Sequence, residues 1–189
     1  MKKITLVLIA VLGILSVRAQ DEEQKPTGKF DRSKLFIGGN FGLSFGDYTL
    51  INISPQLGYQ FNNFFAAGAG VTMIYSSFRY RYSVPDYRES YGVTGLNIFG
   101  RVYPIRHIFV QLQPELNYTW GKRRFYDGGG GEQKLDGKFV PSLLGGVGGL
   151  IPMGERGGLL IMAQYDLLQQ PRSPYGNRVF YNVGFNFGL

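Results

Sequence analysis

Three ionisable side chains interrupt segments of the chain that otherwise carry almost no charge: Arg101, Glu115 and Asp166. A lone charge removed from water is costly, so such residues need an opposite charge or a set of hydrogen bonds. They are expected to point inward and pair as an ion-pair network. The competing use of the same residues is a charged constriction that passes solutes. A second constellation is basic and aromatic. Arg79, Arg81, Arg88, Lys122, Arg123, Arg124 and Arg172 stand among Tyr80, Tyr82, Tyr87, Phe125 and Tyr126. Guanidinium forks suit phosphate or carboxylate groups, and aromatic faces suit sugars or stacked cations. Loops that merely tolerate an anionic surface would have the same composition.

Catalytic chemistry finds little to use. Activating a serine or an acid needs a nearby histidine, and His107 is the sole one. It falls in a short turn, 104–107, at the end of the molecule away from the basic loops. The glycine run Gly128, Gly129, Gly130 and Gly131 lacks the Lys-Ser/Thr of a phosphate-cradling loop. It reads as a flexible loop tip. No metal-ligating cluster is visible, so no catalytic residue, cofactor or metal is expected.

The elements that must position these residues are strands. In 108–120 one register is Ile108, Val110, Leu112, Pro114, Leu116, Tyr118 and Trp120; the other is Phe109, Gln111, Gln113, Glu115, Asn117 and Thr119. A period of two means one apolar and one polar face. Soluble strands usually run about 5 or 6 residues, whereas a tilted membrane-crossing strand needs about 9 to 11. The unit recurs, giving strands over 35–46, 49–60, 65–77, 91–103, 108–120, 139–151, 158–168 and a last one ending at Leu189. In 91–103 Phe99 breaks the alternation. Connections run short then long from residue 61 onward, with long polar loops at 78–90, 121–138 and 169–177.

This pattern predicts an all-β fold: an eight-stranded antiparallel up-and-down transmembrane β-barrel, with both termini on the periplasmic side. Aromatic residues near strand ends would form the two interfacial girdles: Tyr59, Phe61, Phe64, Tyr103, Phe109 and Phe187 on one side, Phe45, Tyr75, Tyr91, Tyr118 and Trp120 on the other. A secreted water-soluble barrel is the alternative. It would cover its outer face with charges, and here the polar face is Asn, Gln, Ser, Thr and Gly. Small residues on that face (Gly38, Gly42, Gly68, Gly70, Gly146, Gly148) leave room for a narrow passage.

The first residues are Met-Lys-Lys, then the apolar run 4–17, then Val17-Arg18-Ala19. This is the layout of a signal peptide, residues 1–19, and the run is too short for a membrane-spanning helix. Residues 20–34 read as a flexible periplasmic leader and 35–189 as the barrel. Net charge is +7 for the whole sequence; loss of the cations Lys2, Lys3 and Arg18 takes it to +4. Nucleic acid is therefore not expected as a partner of an exported chain. There is no cysteine, hence no disulfide staple.

The C-terminal residues Asn182, Gly184, Phe187 and Leu189 stand where outer-membrane proteins carry their assembly signal, although Leu replaces the usual final Phe. From about Lys34 onward the chain resembles the small outer-membrane β-barrel domain family of Gram-negative bacteria, with its OmpX-like, OmpW-like and PorT-like members. The resemblance implies outer-membrane lipid and lipopolysaccharide as surroundings, the barrel-assembly machinery as a partner in biogenesis, and an envelope protein as a further possible partner. The expectation is a non-enzymatic barrel with a structural or interaction role, and a narrow channel for small or apolar solutes is the runner-up.

Overall fold

Alternating side chains leave a strand two faces to satisfy, and closing the sheet on itself satisfies both without leaving an unpaired edge. The computed structural model describes residues 31–44, 48–80, 86–126, 131–154 and 156–189. The signal-peptide reading, most of the leader, Phe45, Arg81, Tyr82 and Gly128 to Gly130 lie outside the described residues. A 3₁₀ turn, Arg32–Lys34, leads into eight strands: β1 (Leu35–Ser44), β2 (Tyr48–Gln60), β3 (Phe65–Tyr80), β4 (Tyr87–Ile105), β5 (Ile108–Phe125), β6 (Glu132–Met153), β7 (Gly157–Asp166) and β8 (Phe180–Gly188). Each pairs antiparallel with its sequence neighbours, and β1 meets β8 to close an up-and-down barrel. The closing seam runs from Phe36 opposite Gly188 to Asn40 opposite Gly184.

The expected strands are all present, but four are longer than alternation alone indicated. The stretches expected as long polar loops continue the ladder: β3 and β4 pair up to Tyr80 opposite Tyr87, and β5 and β6 up to Arg124 opposite Glu132. Charged side chains hide the period of two there. Backbone pairing and a line of rings maintain it, with Tyr87 stacked on Tyr80 and next to Phe125. In the turn after β2, the sequence Asn62-Asn63 suggests a left-handed backbone, and the structure does without one. Asn62 keeps ordinary backbone angles, and its Oδ1 accepts from the Phe64 and Phe65 amides at 2.9 and 2.8 Å. Its side chain, not a left-handed backbone, makes the corner.

The outer face is apolar on every strand. Ile53, Leu57, Leu96, Ile98, Val110, Leu112, Leu116, Ile161, Val183 and Phe185 all lie exposed, Leu96 to 69%. A water-soluble monomer does not tolerate an apolar surface that encircles it. The inner face is two-zoned. Toward the short turns, Phe36, Ala66, Phe99, Tyr103, Phe109, Leu160 and Met162 form a buried apolar cluster. Toward the long hairpins the interior is amides, hydroxyls and the three isolated charges.

The cluster corrects three expectations. Tyr103 and Phe109 are not girdle residues; they face inward and are buried. Phe99 breaks no pattern, because it occupies an inward position of β4 among these rings. Nor do the inner glycines open a passage. A methyl group at Gly68 would meet the Phe99 ring at 2.6 Å, and one at Gly148 would meet the Phe109 ring at 2.5 Å. Gly68 and Gly148 make room for rings, whereas a methyl group at Gly38, Gly70 or Gly146 would meet a carbonyl oxygen of the neighbouring strand. Of the girdle candidates, Phe61, Tyr75, Tyr118, Trp120 and Phe187 are exposed as expected. Tyr91 lies on the inner face of the hairpin, where its hydroxyl donates to Glu89 Oε2 at 3.3 Å.

Candidate functional site in the lumen and on the hairpins

β5 supplies the axis of the lumen. Its inward residues Gln111, Gln113, Glu115 and Asn117 form a ladder up the wall, each two residues from the next and all buried. Arg101 reaches the ladder from β4. It donates from Nε to Gln111 Oε1 at 2.5 Å and from Nη2 to Gln56 Oε1 at 3.0 Å. Gln111 Nε2 donates to Gln113 Oε1 at 2.5 Å, and Gln113 Nε2 donates to Glu115 Oε1 at 2.6 Å. Every donor along this path points from the guanidinium toward the carboxylate. The amide dipoles therefore line up, positive end toward Glu115, and each bond polarises the next.

Glu115 is held from several sides. Oε1 also accepts from Thr72 at 3.3 Å; Oε2 accepts from Asn117 Nδ2 at 3.0 Å and from the Tyr175 hydroxyl at 2.5 Å. Asn97 completes the layer by donating to Thr72 Oγ1 at 3.0 Å. At the other end of the relay the Arg101 guanidinium lies 4.5 Å from the centre of the Phe99 ring, 5.3 Å from Phe109 and 5.8 Å from Phe36. It marks the border between the two zones, with aromatic faces below and amides above.

Arg101, Glu115 and Asp166 are thus all inside the barrel, 1%, 5% and 0% exposed. They do not form the expected ion-pair network. Among the described residues no ion pair joins them: Arg101 and Glu115 are linked through two glutamines, and Asp166 has a separate task. Its Oδ1 accepts from the Leu143 and Leu168 amides, both at 3.1 Å, and its Oδ2 accepts from Ser173 Oγ at 2.5 Å. It anchors the 167–179 connection across the mouth. That connection carries Tyr175, stacked on Phe180 with centroids 4.8 Å apart, down to Glu115.

Sequence reasoning missed Tyr175, which sits in an aperiodic loop with no local signal. The glutamine relay has a signal, three amides and an acid at alternate positions of one strand face, but spacing alone does not separate a relay from a polar lining.

The cations of the hairpins divide between the two faces of the wall. Arg123 faces inward and is tied by Nε to Glu89 Oε1 at 2.7 Å, with its guanidinium 5.1 Å from the Tyr87 ring centre. Arg79 faces outward but pairs with Asp86 at 3.0 Å and lies over Tyr126 at 4.4 Å. Arg172 donates to the Asp136 carbonyl at 2.9 Å. Arg88, Lys122 and Arg124 are outward and exposed, with Lys122 3.9 Å from Glu132. His107 is exposed in the turn between β4 and β5, where its carbonyl accepts from the Leu150 amide at 2.8 Å.

Away from the seam, Asn182 Nδ2 of β8 donates to Gln164 Oε1 of β7 at 2.6 Å; at the seam Gly184 is buried, and Phe187 and Leu189 lie on the apolar exterior. A methyl group at Gly184 would come within 2.2 Å of the Gly39 carbonyl oxygen, so the seam admits only glycine there.

These features define a class, a small closed β-barrel with a filled interior and an apolar exterior. The chain matches no protein-family model and no curated protein. Among solved structures it is similar to Neisserial surface protein A (NspA), at a TM-score of 0.42 and 14% identity, over 83% of this chain and 98% of that one.

Proposed function

We propose that this chain is a non-enzymatic integral outer-membrane barrel of a Gram-negative bacterium, with a structural or interaction role and not a conducting one. The observation that carries the reading is the combination of an exterior apolar on every strand with a lumen occupied by buried side chains, from the Phe36–Phe99–Phe109 cluster up to the Gln111–Asn117 ladder. Hydrocarbon cannot hydrogen-bond an exposed backbone group, and the pairing of β1 with β8 closes the sheet so that none of the eight described strands is left as a free edge. The interior is closed by rings around Arg101 at one end and by Tyr175 on Glu115 at the other. An eight-stranded barrel is narrow enough for its own side chains to fill.

In this reading the short turns and both termini face the periplasm and the long hairpins face outward. Residues 1–19 direct export, and Asn182, Gly184, Phe187 and Leu189 are presented to the assembly machinery. The outward hairpins meet lipopolysaccharide or an envelope partner through their basic and aromatic residues. Planar-bilayer recording of the purified barrel tests the functional half: no steady single-channel steps are expected, and their appearance would restore the narrow-channel alternative. Gel migration in mild detergent tests the fold half. Boiled and unboiled samples are expected to run apart, and identical migration contradicts a closed barrel.

A further inference from the structure

The chain has one tryptophan, and it lies where the apolar exterior ends. Trp120 is on the outer face of β5, with its indole laid across Gly92 of β4 so closely that a methyl group there would sit 2.3 Å from the ring. Tyr75 of β3 is the Cα partner of Gly92 on the other side and completes this aromatic rung. The next outward rung places Lys122 opposite Ser90 on one side and Lys134 on the other. The rung above that sets Arg79, Arg88, Arg124 and Glu132 in a row. The register is unbroken from β3 to β5 in this region, so these cations share a face with Leu112 and Leu116. A groove of about 460 Å³ runs along it, lined by Tyr75, Trp120, Lys122, Lys134, Glu132 and Asp136.

Charge balance separates this face from the inner one. Inside the hairpin Arg123 is neutralised by Glu89. Outside, Lys122 has only Glu132 at 3.9 Å, while Arg88 and Lys134 have no ion-pair partner among the described residues. A wall bathed only in water is served by mixed signs. Here excess positive charge stands directly above an aromatic belt, on the side that faces lipid, at the height of the headgroups. The two cationic rungs are two residues apart, about 7 Å along the strands. A single phosphodiester reaches one rung. A sugar bearing more than one phosphate reaches both.

We propose that this groove binds the phosphorylated sugar headgroup of an outer-leaflet glycolipid. Lys122 and Lys134 hold phosphate, Arg88 and Arg124 extend the grip one rung outward, and Trp120 and Tyr75 pack where sugar gives way to acyl chain. The inference rests on the membrane-barrel reading and adds a ligand class and a place to it.

Trp120 emission reads the site directly. The full-length protein in phosphatidylcholine nanodiscs is titrated with a bis-phosphorylated glucosamine-disaccharide lipid, with phosphatidylglycerol at matched charge and soluble inorganic phosphate as separate arms. The glycolipid is expected to give a saturable shift, at a mole fraction about tenfold below any response to phosphatidylglycerol, and phosphate none. Lys122→Gln with Lys134→Gln is expected to weaken it about tenfold, and Arg123→Gln on the inner face to leave it unchanged. A response that does not saturate, is matched by phosphatidylglycerol or phosphate, or survives the double substitution overturns the site. Brominated phosphatidylcholine separates the two levels. Unquenched Trp120 sinks the membrane reading itself, whereas quenching without a glycolipid response sinks only the headgroup site.

Discussion

Toward the short turns the barrel wall encloses Phe36, Phe99, Tyr103, Phe109, Leu160 and Met162; toward the hairpins the same strands enclose Gln113, Glu115, Asn117, Thr72 and Tyr175. The first zone is held by contact. Its rings lie on glycines, and the loss of one contact leaves the others in place. The second is held by a chain of donors and acceptors in which each member satisfies the next. Removal of one member leaves a charge or an amide stranded in low dielectric. Packing degrades gradually; a polar network degrades by whole bonds. Arg101 belongs to both zones, stacked on rings on one side and bonded to amides on the other, so it is where the two meet.

The largest expected effect is therefore at Arg101. Arg101→Met leaves Glu115 buried with its compensating charge gone, and is expected to cost about 3–5 kcal/mol. Adding Glu115→Gln removes the stranded charge and is expected to recover most of that loss. Urea unfolding in lipid vesicles, followed by Trp120 emission, measures both. A double variant no better than the single one would show that the glutamine relay does not couple the two residues.

Tyr175→Phe comes next. It deletes one hydrogen bond to a buried carboxylate, expected to cost about 1.5–3 kcal/mol. It also frees the 167–179 connection from the lumen, so limited proteolysis should cut there faster while the barrel stays intact. Unchanged cleavage would mean that the remaining ties, Ser173 to Asp166 and Arg172 to the Asp136 carbonyl among them, suffice to hold the loop. On the packed side Gly68→Ala is the matching probe. Its methyl group would lie 2.3 Å from the Leu57 carbonyl oxygen and 2.6 Å from the Phe99 ring, an overpacking expected to cost about 1–3 kcal/mol. Pairing this change with Phe99→Leu should lower the cost, because the ring is the one side-chain obstacle of three, the others being the Leu57 carbonyl oxygen and Gly58 Cα.

The barrel itself was legible because period-two alternation survives wherever one face meets lipid and the other meets amides. Residues 108–120 show it most plainly, and that segment became the axis of the lumen. Alternation failed where both faces are apolar: Phe36, Phe99 and Phe109 look like defects in a pattern and are the inner core. It failed again in 121–138, where charges mask a ladder that the backbone still makes. The inward placement of Arg101, Glu115 and Asp166 was legible from their isolation. Their partners were not, since two glutamines and a tyrosine from a distant loop satisfy them and nothing in a linear spacing announces a contact between residues 115 and 175. Lys134 is illegible for a similar reason. Its alignment with Lys122 depends on a register shift between Thr119 and Gly121.

The smallest effect comes from a carboxylate outside the barrel, and it calibrates the buried ones. Asp31 caps the turn before β1: its Oδ1 accepts from the Ser33 hydroxyl at 2.7 Å and from the Ser33 amide at 3.0 Å. The hydroxyl bond first, then the amide bond, lower its pKa below the ordinary aspartate value. Both bonds favour the ionised form. A lowered folded-state pKa means that the cap stabilises the turn fully above the unfolded-chain value of about 3.9 and loses that contribution as pH falls through the folded-state value. Carbon-13 detection of the Asp31 carboxyl in a pH titration is expected to show a midpoint below about 3.9, and Ser33→Ala should move it back upward. Because Asp31 is open to water, screening leaves little of this in global stability, and the urea midpoint of the barrel should not move with Ser33→Ala. If it did move by as much as in Tyr175→Phe, exposure would not be what separates the solvent-facing acid from Glu115, and the contrast between packed and hydrogen-bonded zones would need a different physical basis.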